Sequence, residues 1–129
     1  MALRTTIEEY AYAAMRIVTA FLFIFHGLQK LFGLFDGRAA ELMSLRGAAG
    51  IIEVTGGALV LAGLLTRVAA FICSGEMAFA YFIAHSPRGL WPIQNGGELA
   101  VFYCFVFLFI SARGAGPLSL DRLVRGVRT

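Results

Sequence analysis

Two histidines, His26 and His85, and two glutamates, Glu53 and Glu98, each stand in a long apolar stretch, and Gln29 and Lys30 lie on the turn after the first histidine. Imidazole, ammonium and carboxamide groups donate hydrogen bonds to carbonyl oxygens, and carboxyls relay protons. Two imidazoles with two carboxylates are also a ligand set for a transition metal. The set that could move protons is therefore His26, Lys30, Glu53, His85 and Glu98. The set that could hold a polar ring is His26, Gln29, Tyr81, His85, Gln94 and Asn95; a metal would use His26, Glu53, His85 and Glu98.

Helical spacing gathers most of these groups onto faces. His26, Gln29, Lys30 and Gly33 are three and four apart and share one stripe. Gly50, Glu53 and Gly57 form another, with glycines leaving room beside the carboxylate; Ala78, Tyr81 and His85 form a third, and Gln94 and Glu98 a fourth. Glu76 precedes His85 by nine residues, and nine steps of about 100° turn it to the opposite face. That places Glu76 outside the site core: protonated, paired with Arg16 or Arg67 through a neighbour, or in an oligomer contact.

Membrane helices are the elements that must position these stripes. Only 15% of the 129 residues are charged and 59% are hydrophobic, and the mean hydropathy is +0.78, far from the profile of a soluble domain. Four segments hold one formal charge each: 17–35 (Lys30), 47–66 (Glu53), 68–87 (Glu76) and 93–112 (Glu98). At about 1.5 Å per residue, each reaches about 30 Å, the thickness of the hydrocarbon core. A soluble bundle needs a polar stripe on every helix, and LAVFYCFVFLFI (residues 99–110) has none.

The pattern predicts an all-α, single membrane domain over 1–129: spans at about 10–33, 47–65, 68–85 and 96–113, then a short amphipathic surface helix at about 119–127. Thr6 and Glu9 have the spacing of a capping box that starts helix 1 near residue 7. The two acids before the apolar run, and its lack of a small-residue cleavage pattern, argue against a signal peptide. Segment 36–47, DGRAAELMSLRG, is a polar connection with room for one helical turn. Ser119 can cap a last helix with Leu120, Leu123, Val124 and Val127 on one face, suited to anionic lipid.

Arg4, Arg16, Arg67, Arg113, Arg122, Arg125 and Arg128 fall on the side of the termini, against Lys30, Arg38, Arg46 and Arg88 on the other. The positive-inside rule then puts both termini in the cytoplasm of a multi-pass inner-membrane protein. On that topology the ionisable groups lie in the outer half of the membrane, Glu53 and His26 about 10 Å deep. Charges at such depth normally face the bundle interior and one another. Cys73 and Cys104 have no CxxC spacing and read as small apolar filler.

In order and spacing, several pieces together resemble the DoxX family of small four-helix membrane proteins: Arg16 with FHGLQKLFG, GIIEVTGGALVLAGLLTR, MAFAYFIAHSPRGLWP, NGGELAV and GAGPLSLD. Glu76 is not part of the pattern. The resemblance implies a redox setting, since members include a subunit of a thiosulfate:quinone oxidoreductase and components of quinone or catechol detoxification.

Three functions are compatible with these residues. In the first, a subunit of a redox complex binds a quinone: His26, Lys30, His85 and Gln94 donate to its carbonyls, Glu53 and Glu98 relay protons, and its tail lies between helices 1 and 4. The chain has no flavin, nucleotide, haem or cluster motif, so electrons would come from a soluble or peripheral partner. In the second, the histidines and glutamates hold a metal. In the third, the polar centre is structural and the chain is an assembly module in the lipid bilayer, with a homo-oligomer open and no nucleic acid involved.

Overall fold

The structure, a computed structural model, describes residues 2–126, and among these every regular element is helical. Helix α1 runs Ala2–Phe32, α2 Leu45–Ala62 and α3 Thr66–Ala80; α3 continues through one π turn, Tyr81–His85, and one 3₁₀ turn, Ser86–Arg88. A four-residue α4 (Pro92–Asn95) leads to α5 (Glu98–Arg113), and α6 (Leu120–Arg125) ends the described chain. Among the described residues three helices are long and apolar enough to cross a membrane: Ala2–Phe32, Leu45–Ala62 and Thr66–Arg88. Helix α5 has 16 residues, about 24 Å of helix.

Two local expectations change. Helix α1 begins at Ala2 rather than near residue 7, because neither capping-box residue is free to cap: the Thr6 hydroxyl donates back to the Ala2 carbonyl at 2.9 Å, and Glu9 pairs with Arg113 across the bundle. Segment 35–44 forms turns but no helix, and the Ser44 hydroxyl caps α2 by accepting from Gly47 N–H at 3.0 Å. Ser119 does cap α6, accepting from Arg122 N–H at 3.3 Å. Val127 and Arg128 lie outside the described residues.

Close approach of backbones sets the packing of α1, α2 and α3, as small residues allow in membrane bundles. A Cβ on Gly27 of α1 would stand 2.6 Å from the Val54 side chain and 2.8 Å from the Gly50 carbonyl of α2. Gly57 faces Ile24 of α1, and Gly56, one step round α2, faces the sulfur of Cys73 on α3. Helix α5 packs along α3 and closes against α1 through Phe23, whose ring lies 5.1 Å from Tyr103 and 4.7 Å from Phe107. Outward positions are equally apolar, with Phe71, Phe79, Phe102, Phe105 and Phe109 all exposed. A helix that is hydrophobic all round suits a lipid surround, not water.

The first half of α1 and the segment after α5 meet at one end of the bundle in a buried polar clasp. Arg16, wholly buried, donates to the carbonyls of Ala115, Pro117 and Leu118, and the Tyr12 hydroxyl donates to Gly114 at 2.6 Å. Arg67 donates to the last carbonyls of α5, at Ser111, Ala112 and Arg113. Asp121 closes the circle: its carboxylate accepts from Leu65 N–H at 2.9 Å and Thr66 N–H at 3.0 Å, the open start of α3. The GAGPLSLD segment thus supplies the carbonyls for α1 and a helix cap for α3.

Candidate functional site

At the opposite end of the bundle, a cavity of about 980 Å³ lies between α2 and α3, floored by α1 and α5. Its polar lining comes from His26 and Lys30 of α1, Glu53 of α2, Glu76 of α3 and His85 of the π turn. Tyr103 of α5 stands among them, its ring edge-on to His26 at 5.8 Å. Leu45, Ile72, Phe79 and Ile83 form an exposed apolar rim on α2 and α3. The cavity's apolar wall is therefore on α2 and α3, not in the seam between the first and last long helices where the phenylalanine content suggested one. Phe23, Tyr103 and Phe107 fill that seam.

Lys30 and Glu53 form the best-defined contact in the cavity. The Lys30 ammonium is 2.5 Å from Glu53 Oε1, and the Glu53 side chain is 0% exposed. Gly50 makes the pairing possible, since a Cβ there would come within 3.0 Å of the Lys30 stem. The second oxygen, Glu53 Oε2, is buried without a hydrogen-bond partner, and so is Glu76 Oε2.

Glu76 therefore belongs to the cavity, contrary to the expectation from an unbroken α-helix. The cause is the π turn, in which Ser86 N–H donates to the Tyr81 carbonyl five residues back. One extra residue in a turn rotates everything beyond it by about 100° relative to a regular helix. This takes about 100° off the half-turn that would separate His85 from Glu76, and both side chains line the cavity.

The remaining sequence candidates are placed elsewhere. Gln29 turns to the loop after α1 and donates to the Phe35 carbonyl at 3.1 Å. Asn95 is buried and fully occupied: its amide donates to the Tyr81 hydroxyl and the Gly89 carbonyl, and its oxygen accepts from Gly97 N–H. Tyr81 supports the site from behind, its ring stacked on His85. Gln94 and Glu98 are exposed and do not line the cavity; Glu98 occupies the first turn of α5, where a negative charge favours the helix dipole. His26, Glu53 and His85 line the cavity without Glu98, and among the described residues no three His, Cys, Asp or Glu side chains are grouped to hold a metal ion.

His85 Nδ1 is 3.3 Å from the Asn95 carbonyl. A carbonyl only accepts, so Nδ1 carries the proton in this bond and Nε2 is the nitrogen left for a ligand. Tyr103 was hidden in the sequence because it sits in a run without polar periodicity; only its neighbour across the bundle, His26, marks it.

The model of the DoxX family matches residues 11–86. An uncharacterized protein of Haemophilus influenzae is 44% identical over 121 residues, which cover 88% of this chain and 90% of the relative. A second uncharacterized protein of the same organism is 33% identical over 69 residues, 54% of this chain and 46% of that protein's length. No solved structure matches. With its apolar helices, its glycine-mediated packing and a family match over more than half its length, the chain is an integral membrane protein and belongs to the DoxX family.

Proposed function

We propose that the chain is a subunit of a quinone-linked redox complex in the inner membrane, with the ring of the quinone seated in the cavity between α2 and α3. The observation that carries this reading is the combination of polar floor and apolar rim: His26, Lys30, Glu53, Glu76, His85 and Tyr103 lie below, and Ile72, Phe79 and Ile83 lead out to lipid. Ligand sites of this kind have apolar walls and a few convergent polar groups. His26 and Tyr103 supply donors to ring oxygens, His85 Nε2 and the carboxyls supply proton acceptors, and Lys30 holds Glu53 in place. Electrons are delivered by a soluble or peripheral partner.

In this reading α5, extended by the residues before it, is the fourth span. The basic clasp end of Arg4, Arg16, Arg67, Arg113, Arg122 and Arg125 faces the cytoplasm, and the cavity lies in the outer half of the membrane. The apolar residues Leu120, Leu123 and Val124, exposed on α6 beside Arg122 and Arg125, then rest on anionic lipid.

The test is gentle purification followed by lipid extraction and photolabelling with an azidoquinone. The expected result is about one quinone per chain and label on α2 or α3, with both lost when His26→Ala and His85→Ala are combined. Absence of both quinone and label in the wild-type protein would refute the proposal.

A further inference from the structure

The hydrogen-bonding state of the cavity distinguishes between the two forms of such a ligand. We infer that the site prefers the reduced, dihydroxylated ring, a quinol, because among the described residues the buried side-chain atoms of its lining left without partners are carboxylate oxygens. Glu53 Oε2 and Glu76 Oε2 are both buried, both without a hydrogen bond, and both belong to side chains lining the cavity. Glu53 is wholly buried, so no water-exposed edge relieves it.

A buried oxygen without a donor is costly, and a ligand that supplies the donor recovers that cost on binding. A quinol brings two O–H groups; a quinone brings only carbonyl oxygens. The cavity's own donors are partly committed, Lys30 to Glu53 Oε1 and His85 Nδ1 to the Asn95 carbonyl. A quinone carbonyl beside the two glutamate oxygens would add acceptor to acceptor. The quinol hydroxyls meet the pattern that Glu53 and Glu76 present.

Glu76 is thereby a ligand-binding residue. The preference belongs to the ionised carboxylates, which only accept; a protonated carboxyl would also donate to a quinone carbonyl.

The inference rests on the quinone-linked reading of this cavity, and the experiment separates the two. Wild-type protein and Glu76→Gln, reconstituted in lipid nanodiscs, are titrated without oxygen with a short-chain benzoquinol and with the corresponding benzoquinone. Binding is read by competition with the azidoquinone label. A hydrogen bond to a charged group changes affinity by roughly tenfold or more, so the quinol should bind wild type about tenfold tighter than the quinone. In Glu76→Gln that preference should shrink severalfold while quinone affinity changes little. If the quinone binds as tightly as the quinol, or Glu76→Gln leaves the ratio unchanged, the preference is refuted and the quinone-linked reading stands. If neither form binds, both fall. An unchanged melting curve for Glu76→Gln establishes that the variant is folded.

Discussion

The Lys30 ammonium lies 2.5 Å from a carboxylate oxygen of Glu53, and this ion pair joins α1 to α2 at a point where the glutamate has no contact with solvent. Removing one partner of a buried pair leaves the other uncompensated, at a cost of about 3–5 kcal/mol, whereas replacing both with apolar groups is often neutral. Lys30→Met alone should lower the thermal unfolding midpoint in detergent sharply. Lys30→Met with Glu53→Leu should recover most of the loss. Equal midpoints for the single variant and wild type would show that the pair does not hold the helices together.

Gly56 and Cys73 make a second pair that can be tested by compensation. A Cβ at position 56 would lie 2.5 Å from the Cys73 sulfur, and the next neighbour, the Ala69 carbonyl, is at an ordinary 3.9 Å. Gly56→Ala should therefore destabilise by about 1–3 kcal/mol, the usual cost of overpacking. Adding Cys73→Ala should relieve it. Thermal melts of the two singles and the double give the coupling; additive effects would place the strain elsewhere.

Arg16 holds three carbonyls of the segment after α5. Hydrogen bonds to charged groups contribute about 1.5–3 kcal/mol each, and a lysine cannot reproduce the planar fork of a guanidinium. Both Arg16→Ala and Arg16→Lys should reduce the yield of monodisperse protein on size exclusion, with lysine rescuing little. Recovery of wild-type behaviour by lysine would mean that charge alone is needed.

Asp121 gives the clasp a pH dependence. Burial acts to raise its pKa, but hydrogen bonds from Thr66 and Leu65, aided by Arg125, outweigh it and hold the carboxyl below its ordinary value. The folded pKa is then below the unfolded one, about 3.9. The stabilisation is complete above that unfolded value and is lost as pH falls through the folded pKa. Asp121→Ala should cost about 1 kcal/mol near neutrality, as loss of a helix cap does, and the gap to wild type should narrow as the pH drops below about 4. A gap that stays constant down to pH 2 would rule out this carboxylate as the source.

The stripe of His26 and Lys30 opposite Glu53 could be read from spacing because α1 and α2 are regular there, and regular helices convert sequence distance directly into angle. Glu76 could not be placed that way, since a π turn has no strong residue signature and one added residue changes every face beyond it. Gln94, Asn95 and Glu98 follow a connection broken by Pro87, Gly89 and Pro92, where helical angle no longer applies. Tyr103 and the carbonyls taken by Arg16 escaped for another reason: an all-apolar helix and a backbone acceptor leave no periodic mark.

The cap supplied by Asp121 also orders events in the making of the protein. Thr66 N–H is satisfied by a carboxylate 55 residues further along the chain. Synthesis runs from the N-terminus, so the α2–α3 hairpin leaves the ribosome with the start of α3 still open. Only when the first turn of α6 has been made can the hairpin be sealed, and a message cut short before position 121 yields every long helix but not the finished bundle.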